Sequence, residues 1–152
     1  MALDPPLARV IDRPVDVLGR SIPVTATSLG NPHCAVFGED VAGDELIGTL
    51  GPALENHPCF PRRTNVEFVT VVDRGTLRVR FWERGVGKTR ASGTGAASAG
   101  VAAMLKGLTD RSVQVVCDGG TLRVEWPEGG SVRQEGEVEL LFEGEWLGGT
   151  GS

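Results

Sequence analysis

Residues 77–82, Leu-Arg-Val-Arg-Phe-Trp, alternate apolar and other positions and predict a strand. Residues 65–72 do the same, with Val66, Phe68 and Thr70 on one side. Asp73-Arg74-Gly75 lies between the two runs, so they predict a hairpin. Residues 22–29 are rich in β-formers, and Pro23 suggests an edge position or a strand beginning. Gly30-Asn31-Pro32-His33 is a turn by composition, followed by a strand at 34–37. Further strands are expected at 113–117, 121–126, 132–134 and 137–143, and short pieces at 9–12 and 15–18 flank Pro14. Two stretches have helical character. Residues 43–56 set Leu46, Ile47, Leu50 and Leu54 on one face, weakened by Gly48, Gly51 and Pro52. Residues 94–105 are nearly all small or apolar, and a helix that is apolar all round belongs inside. Gly107 ends it. The pattern predicts an α+β fold: a strongly bent, mostly antiparallel β-sheet wrapped around a central Ala-rich helix.

Composition narrows the class. A chain of 152 residues with 40% hydrophobic and 23% charged content suits one soluble domain with a proper core. A net charge of −5 argues against nucleic acid as a partner. No apolar run has the length of a membrane span, and the N-terminus lacks the features of a signal peptide, so no membrane partner is expected. Cys34, Cys59 and Cys117 have no metal-like spacing, which suggests a reduced, cytoplasmic protein without a metal. The three thiols read as buried and structural.

Candidate chemistry gathers at residues 83–100. A strand end leads through glycine-rich chain into the apolar helix, with Ser92-Gly93-Thr94-Gly95 at its start. Ser or Thr can cap there, and the first N–H groups, which lack helical partners, offer an anion a place to bind around Gly93–Gly95. Capping alone also accounts for these residues without any ligand. Gly87-Lys88-Thr89 imitates the end of a P-loop, but Trp82 stands where its first glycine belongs. Gly93-Thr94-Gly95 starts like a dinucleotide fingerprint, yet its third glycine position is Ser98. Ser92 is not on a nucleophile elbow, because position 90 is Arg.

Three separated stretches carry a resemblance. They are Ser28-Leu-Gly-Asn-Pro-His-Cys34, Arg63-Thr-Asn-Val-Glu-Phe68, and residues 83–96. In order and spacing they resemble the second half of diaminopimelate epimerase, over about residues 20–145. The resemblance implies a cofactor-independent enzyme that inverts the α-carbon of diaminopimelate in lysine and cell-wall biosynthesis. It would do so with two cysteines, one from each of two similar domains. It further implies that Asn31, Asn65, Glu83 and Arg84 bind substrate. Gly93 and Thr94 would offer N–H groups to its α-carboxylate, and His33 would lie near the catalytic centre.

Ser92 stands where the family has its second-half cysteine, Lys88 where it usually has Glu, and the first half with its own cysteine has no counterpart. A hydroxyl does not ionise near neutral pH, so Ser92 needs a partner to take its proton, and His33 is the candidate the resemblance offers. The expectation is a family-type isomerase domain at 21–147, with 1–20 as remnant or linker and 148–152 as a disordered tail. It would be inactive by itself and would associate with a missing N-terminal half or as a homodimer through the face at 22–37 and 83–95. Its ligand would be a small amino acid. Two alternatives remain open: a same-fold isomerase or dehydratase lacking one cysteine, or a non-catalytic module that binds small anions.

Overall fold

The computed structural model describes residues 10–39, 41 and 43–145. Nine strands and two helices follow one another as β1 (Val10–Val17), β2 (Arg20–Ser28), β3 (Pro32–Phe37), α1 (Asp44–Glu55), β4 (Asn65–Asp73), β5 (Thr76–Glu83), β6 (Gly87–Thr89), α2 (Gly93–Leu105), β7 (Ser112–Cys117), β8 (Gly120–Glu125) and β9 (Arg133–Gly136). All strands join one sheet in the order β1-β2-β3-β4-β5-β7-β8-β9, with β6 attached to β5. Most neighbours are antiparallel; β3/β4 and β5/β7 are parallel. Each parallel seam is crossed by a helix, α1 for the first and α2 for the second, because parallel neighbours need a long connection.

The sheet buries both faces. Strand alternation sends Cys34, Val36, Val66 and Phe68 to one side, where they meet Ile47, Leu50 and Leu54 of α1. It sends Ala35, Val69, Val79 and Phe81 to the other, where they meet Ala96, Ala99, Ala102 and Ala103 of α2. Phe81 is 1% exposed, a burial worth about 1.5–3 kcal/mol. The small residues of α2 allow a very close approach: a Cβ on Gly100 would stand 2.9 Å from Val124 Cγ1. On the other face a Cβ on Gly51 would stand 2.6 Å from the Trp82 ring, so that indole packs directly against the α1 backbone. The sheet bends around α2, which touches strands from β2 to β9.

Several expectations change. Residues 10–17 form one strand rather than two pieces, with a register shift between Val10 and Arg13 where Asp12 takes φ 49°. That strand lies inside the stretch set apart as remnant or linker, yet it pairs with β2 and buries Val10, Val15 and Val17 in the core. Pro23 is not on an edge strand. It faces Pro14, and β3 begins its pairing only at Val24, so no ladder N–H is missed. The glycine-rich turn contains the short strand β6, held to α1 by Lys88 Nζ on Asp44 Oδ1 at 2.6 Å. Residues 137–143 are not a strand: Val138, Leu140 and Phe142 alternate as a strand would, but they lie exposed, and among the described residues they have no ladder partner. The expected tail at 148–152 lies outside the described residues. Among the described residues no helix is long and apolar enough to cross a membrane.

Candidate functional site

Parallel pairing of β3 with β4 puts His33 beside Asn65, and antiparallel pairing puts Val66 beside Trp82. The starts of β3 and β4 and the end of β5 therefore share one end of the sheet. The β2–β3 turn brings Asn31 to the start of α2 there, helped by Gly30 at φ 98°, a conformation glycine adopts without strain. Asn31 Nδ2 donates to Thr94 Oγ1 at 3.4 Å across 63 residues of sequence. Asn65 Oδ1 accepts the Arg84 backbone N–H at 2.9 Å, and its Nδ2 donates to the Pro32 carbonyl at 3.0 Å. These bonds draw the three sequence motifs into one cluster.

His33 is the buried centre of that cluster, at 1% exposure. Its Nε2 lies 3.0 Å from Asn31 Oδ1, and its Nδ1 lies 2.6 Å from Glu67 Oε1. The Asn31 amide group donates to Thr94, so its oxygen faces the ring and Nε2 carries a proton. The one proton left to assign lies between Nδ1 and Glu67. Burial pushes the Glu67 carboxyl up, while the hydrogen bond and charge of His33 pull it down. A hydrogen bond from the Cys34 backbone also pulls it down, and the charge of Glu83 pushes it up.

Ser92 caps α2: its Oγ accepts the Gly95 N–H at 3.3 Å. Both ring nitrogens of His33 are engaged elsewhere, with Asn31 and Glu67. The expected partnership in which His33 takes the Ser92 proton is therefore not present in this arrangement. Gly93 and Thr94 are exposed at the helix start, and the Gly93 carbonyl accepts Gln134 Nε2 at 2.9 Å. Glu83 Oε1 accepts the Thr89 hydroxyl at 2.7 Å, and Arg84 Nη1 donates to the Arg62 carbonyl at 2.9 Å.

Two carboxylates behind this cluster escaped the sequence reading. Glu67 carried a signal, since the face of β4 opposite Val66 and Phe68 is buried too, and a lone acid there needs a partner. Glu55 carried a weaker one, as the last residue of an amphipathic helix. It is 5% exposed and receives Arg63 Nη1, Trp82 Nε1 and the Gly85 N–H. Gln134 gave no signal, being one polar residue in a short polar strand. Of the three thiols, Cys34 is buried, while Cys59 and Cys117 are only partly so, contrary to expectation. Burial, and next the charge of Glu67, push the Cys34 thiol well up. A cavity of about 470 Å³ opens away from this cluster, between the β1–β2 turn and α1, lined in part by Leu18, Arg20 and Leu46.

The family model for diaminopimelate epimerase matches residues 25–141. A diaminopimelate epimerase of Desulforudis audaxviator is 50% identical over 143 residues, which are 93% of this chain and 51% of that protein. One of Leptospira biflexa is 48% identical over 136 residues, 90% of this chain and 48% of that protein. The chain spans about half the length of the curated relatives it matches. Among solved structures, a phenazine biosynthesis protein of the PhzF family from Bacillus anthracis superposes with a TM-score of 0.53 at 18% identity, covering 73% of this chain and 37% of that one. A PhzF-family protein from Enterococcus faecalis gives 0.52 at 14% identity, over 69% and 39%. These two likenesses concern the fold alone.

Proposed function

The chain belongs to the diaminopimelate epimerase family, and we propose that it forms one face of the site of a cofactor-independent amino-acid epimerase acting on diaminopimelate. The observation that carries the reading is the meeting of the three motifs at one end of the sheet, through Asn31–Thr94 and Asn65–Arg84. In this reading the α-carboxylate rests on the N–H groups of Gly93 and Thr94, where the helix dipole favours an anion. Asn31 and Asn65 frame the ligand, and Glu83 and Arg84 meet its distal end.

Inversion at an α-carbon needs a base on one face and an acid on the other. This chain contributes one face, and a further domain or a second copy contributes the opposite one. The same N–H groups stabilise negative charge as the α-proton leaves. The position from which the proton is taken belongs to Ser92, whose hydroxyl has no reachable anion near neutral pH. By itself the chain therefore binds without inverting. His33 and Glu67 act as positioning residues that hold Asn31 in orientation. A cytoplasmic location, where reduced thiols belong, is part of the proposal.

The test is α-proton exchange from diaminopimelate in D2O, followed by NMR. It compares the chain, its Ser92→Cys variant, and each mixed with a first-half domain of the family. The expected result is exchange only with Ser92→Cys plus the added domain, since a thiol at a helix start reaches its anion. Rapid inversion by the unmodified chain alone would overturn the reading. A second reading, a non-catalytic module for small carboxylates, is favoured by the use of Ser92 Oγ as a helix cap. Diaminopimelate binding by calorimetry, with no exchange in any mixture, would select it.

A further inference from the structure

Cys59 and His57 lie outside the motif cluster, on the loop between α1 and β4. We propose that Cys59 is a modification site, a thiol that exchanges with small disulfides bearing carboxylates, with His57 as its base. The inference does not depend on the epimerase reading.

The geometry fixes the imidazole. His57 Nε2 lies 3.1 Å from the Asp16 backbone carbonyl, which can only accept, so Nε2 carries the proton. Nδ1 therefore presents its lone pair. It lies 2.9 Å from Cys59 Sγ and receives the Cys59 backbone N–H at 3.2 Å. A nucleophile within reach of a base, with the base oriented by a third group, is the arrangement that activates thiols. The orienting group comes from β1, 41 residues away, so the pair is more than a local turn contact. Arg13, also on β1 and exposed, favours the anionic sulfur and would attract a carboxylate on the incoming disulfide. Burial works the other way and holds the thiol protonated at rest, so proton transfer to His57 belongs to the attack itself.

Neither of the other thiols has this provision. Cys34 is fully buried. Cys117 Sγ donates to the Gly120 carbonyl at 3.1 Å, an acceptor that cannot take the proton. In the exchange, the Cys59 proton passes to His57 Nδ1 while sulfur attacks one sulfur of the disulfide. The reagent's S–S bond breaks, a Cys59–sulfur bond forms, and the departing thiolate takes the proton back from the imidazolium. One disulfide and one thiol enter, and one of each leaves.

The experiment incubates the chain with glutathione disulfide at neutral pH and maps adducts by mass spectrometry over time. The expected result is a first adduct on Cys59, formed at least about tenfold faster than on Cys117, and slowed about tenfold or more in His57→Gln. That variant keeps a hydrogen-bond acceptor but removes the base. Reaction at Cys117 first, or an unchanged rate in His57→Gln, would overturn the proposal. Should His57→Gln fail to fold by circular dichroism, the order of reaction in the unsubstituted chain decides alone.

Discussion

Trp82 donates its indole N–H to Glu55 Oε2 at 2.7 Å, joining β5 to the end of α1. The other oxygen of that carboxylate receives the Gly85 N–H at 2.8 Å and Arg63 Nη1 at 3.0 Å. One buried acid thus fixes the turn after Glu83 and Arg84 as well as the loop leading to Asn65. Glu55→Ala would leave these donors without their acceptor. We expect a loss of about 3 kcal/mol, the low end for a broken buried pair because Arg63 can turn to water. Glu55→Gln should lose less, since its amide oxygen still accepts. Urea denaturation of the two variants checks the order; equal losses would count against hydrogen bonding as the cause.

The same indole leaves no free room for a larger residue at Gly51. A Cβ there would lie 2.6 Å from Trp82 Cδ2 and 2.7 Å from Cγ. Alanine ordinarily favours a helix over glycine by about 1 kcal/mol. Here we expect the reverse, a destabilisation of about 1–3 kcal/mol from overpacking. A rise in the urea midpoint of Gly51→Ala would show that the ring yields more easily than its contacts imply. Gly48→Ala is the control, because a Cβ there meets nothing within 4 Å.

Ser92 has a measurable structural role whatever binds beside it. Its Oγ accepts the Gly95 N–H, so Ser92→Ala should cost about 1 kcal/mol as a lost helix cap. Ser92→Asp, which caps as well, should retain most of that stability. Thermal melts of the pair check it, and an unchanged Ser92→Ala would mean that the bond contributes nothing.

Glu67 gives stability a particular pH dependence. Its carboxyl is held above the ordinary range by burial, with His33 opposing, so the folded chain holds that proton more tightly than the unfolded one. The contribution is complete below the unfolded value and is lost as pH rises through the folded one. Glu67→Gln cannot titrate. Its stability should therefore decline less as pH rises above the ordinary carboxylate range, where a raised carboxyl changes charge. Urea midpoints across that range would expose parallel slopes, which would remove Glu67 from the account.

Much of the fold was legible because burial follows periodicity. The run from Ala96 to Ala103 could only be an interior helix, and the alternation at Leu77, Val79 and Phe81 could only face it. β6 escaped because three residues, Gly87–Thr89, give no period to read. Residues 137–143 mislead for the opposite reason: alternation shows that a segment can be a strand, not that a neighbour exists to pair with it. In the candidate site, Asn31, Asn65 and Thr94 were singled out through motif resemblance, and the Asn31–Thr94 and Asn65–Arg84 bonds are a product of the fold. Glu67 was passed over although its buried strand face called for a partner, and Glu55 was missed because its donors, Arg63, Trp82 and Gly85, meet it only in the folded chain. Cys59 was read as structural because only the folding of β1 beside the loop brings Arg13 near it and the Asp16 carbonyl to His57.

The Asn31–Thr94 bond spans 63 residues and the buried Thr27–Ser98 pair spans 71. Hairpins such as β1/β2 and β4/β5 close over short stretches, whereas these bonds wait for the helix that follows β6. At about 5–20 residues per second of synthesis, Asn31 leaves the ribosome roughly three to a dozen seconds before Thr94. For that interval the emerging chain has a sheet edge and a polar turn facing nothing. A nascent chain released before α2 is made therefore has the residues of the Asn65–Arg84 and His33–Glu67 bonds but lacks Thr94 and the helix start that Asn31 meets.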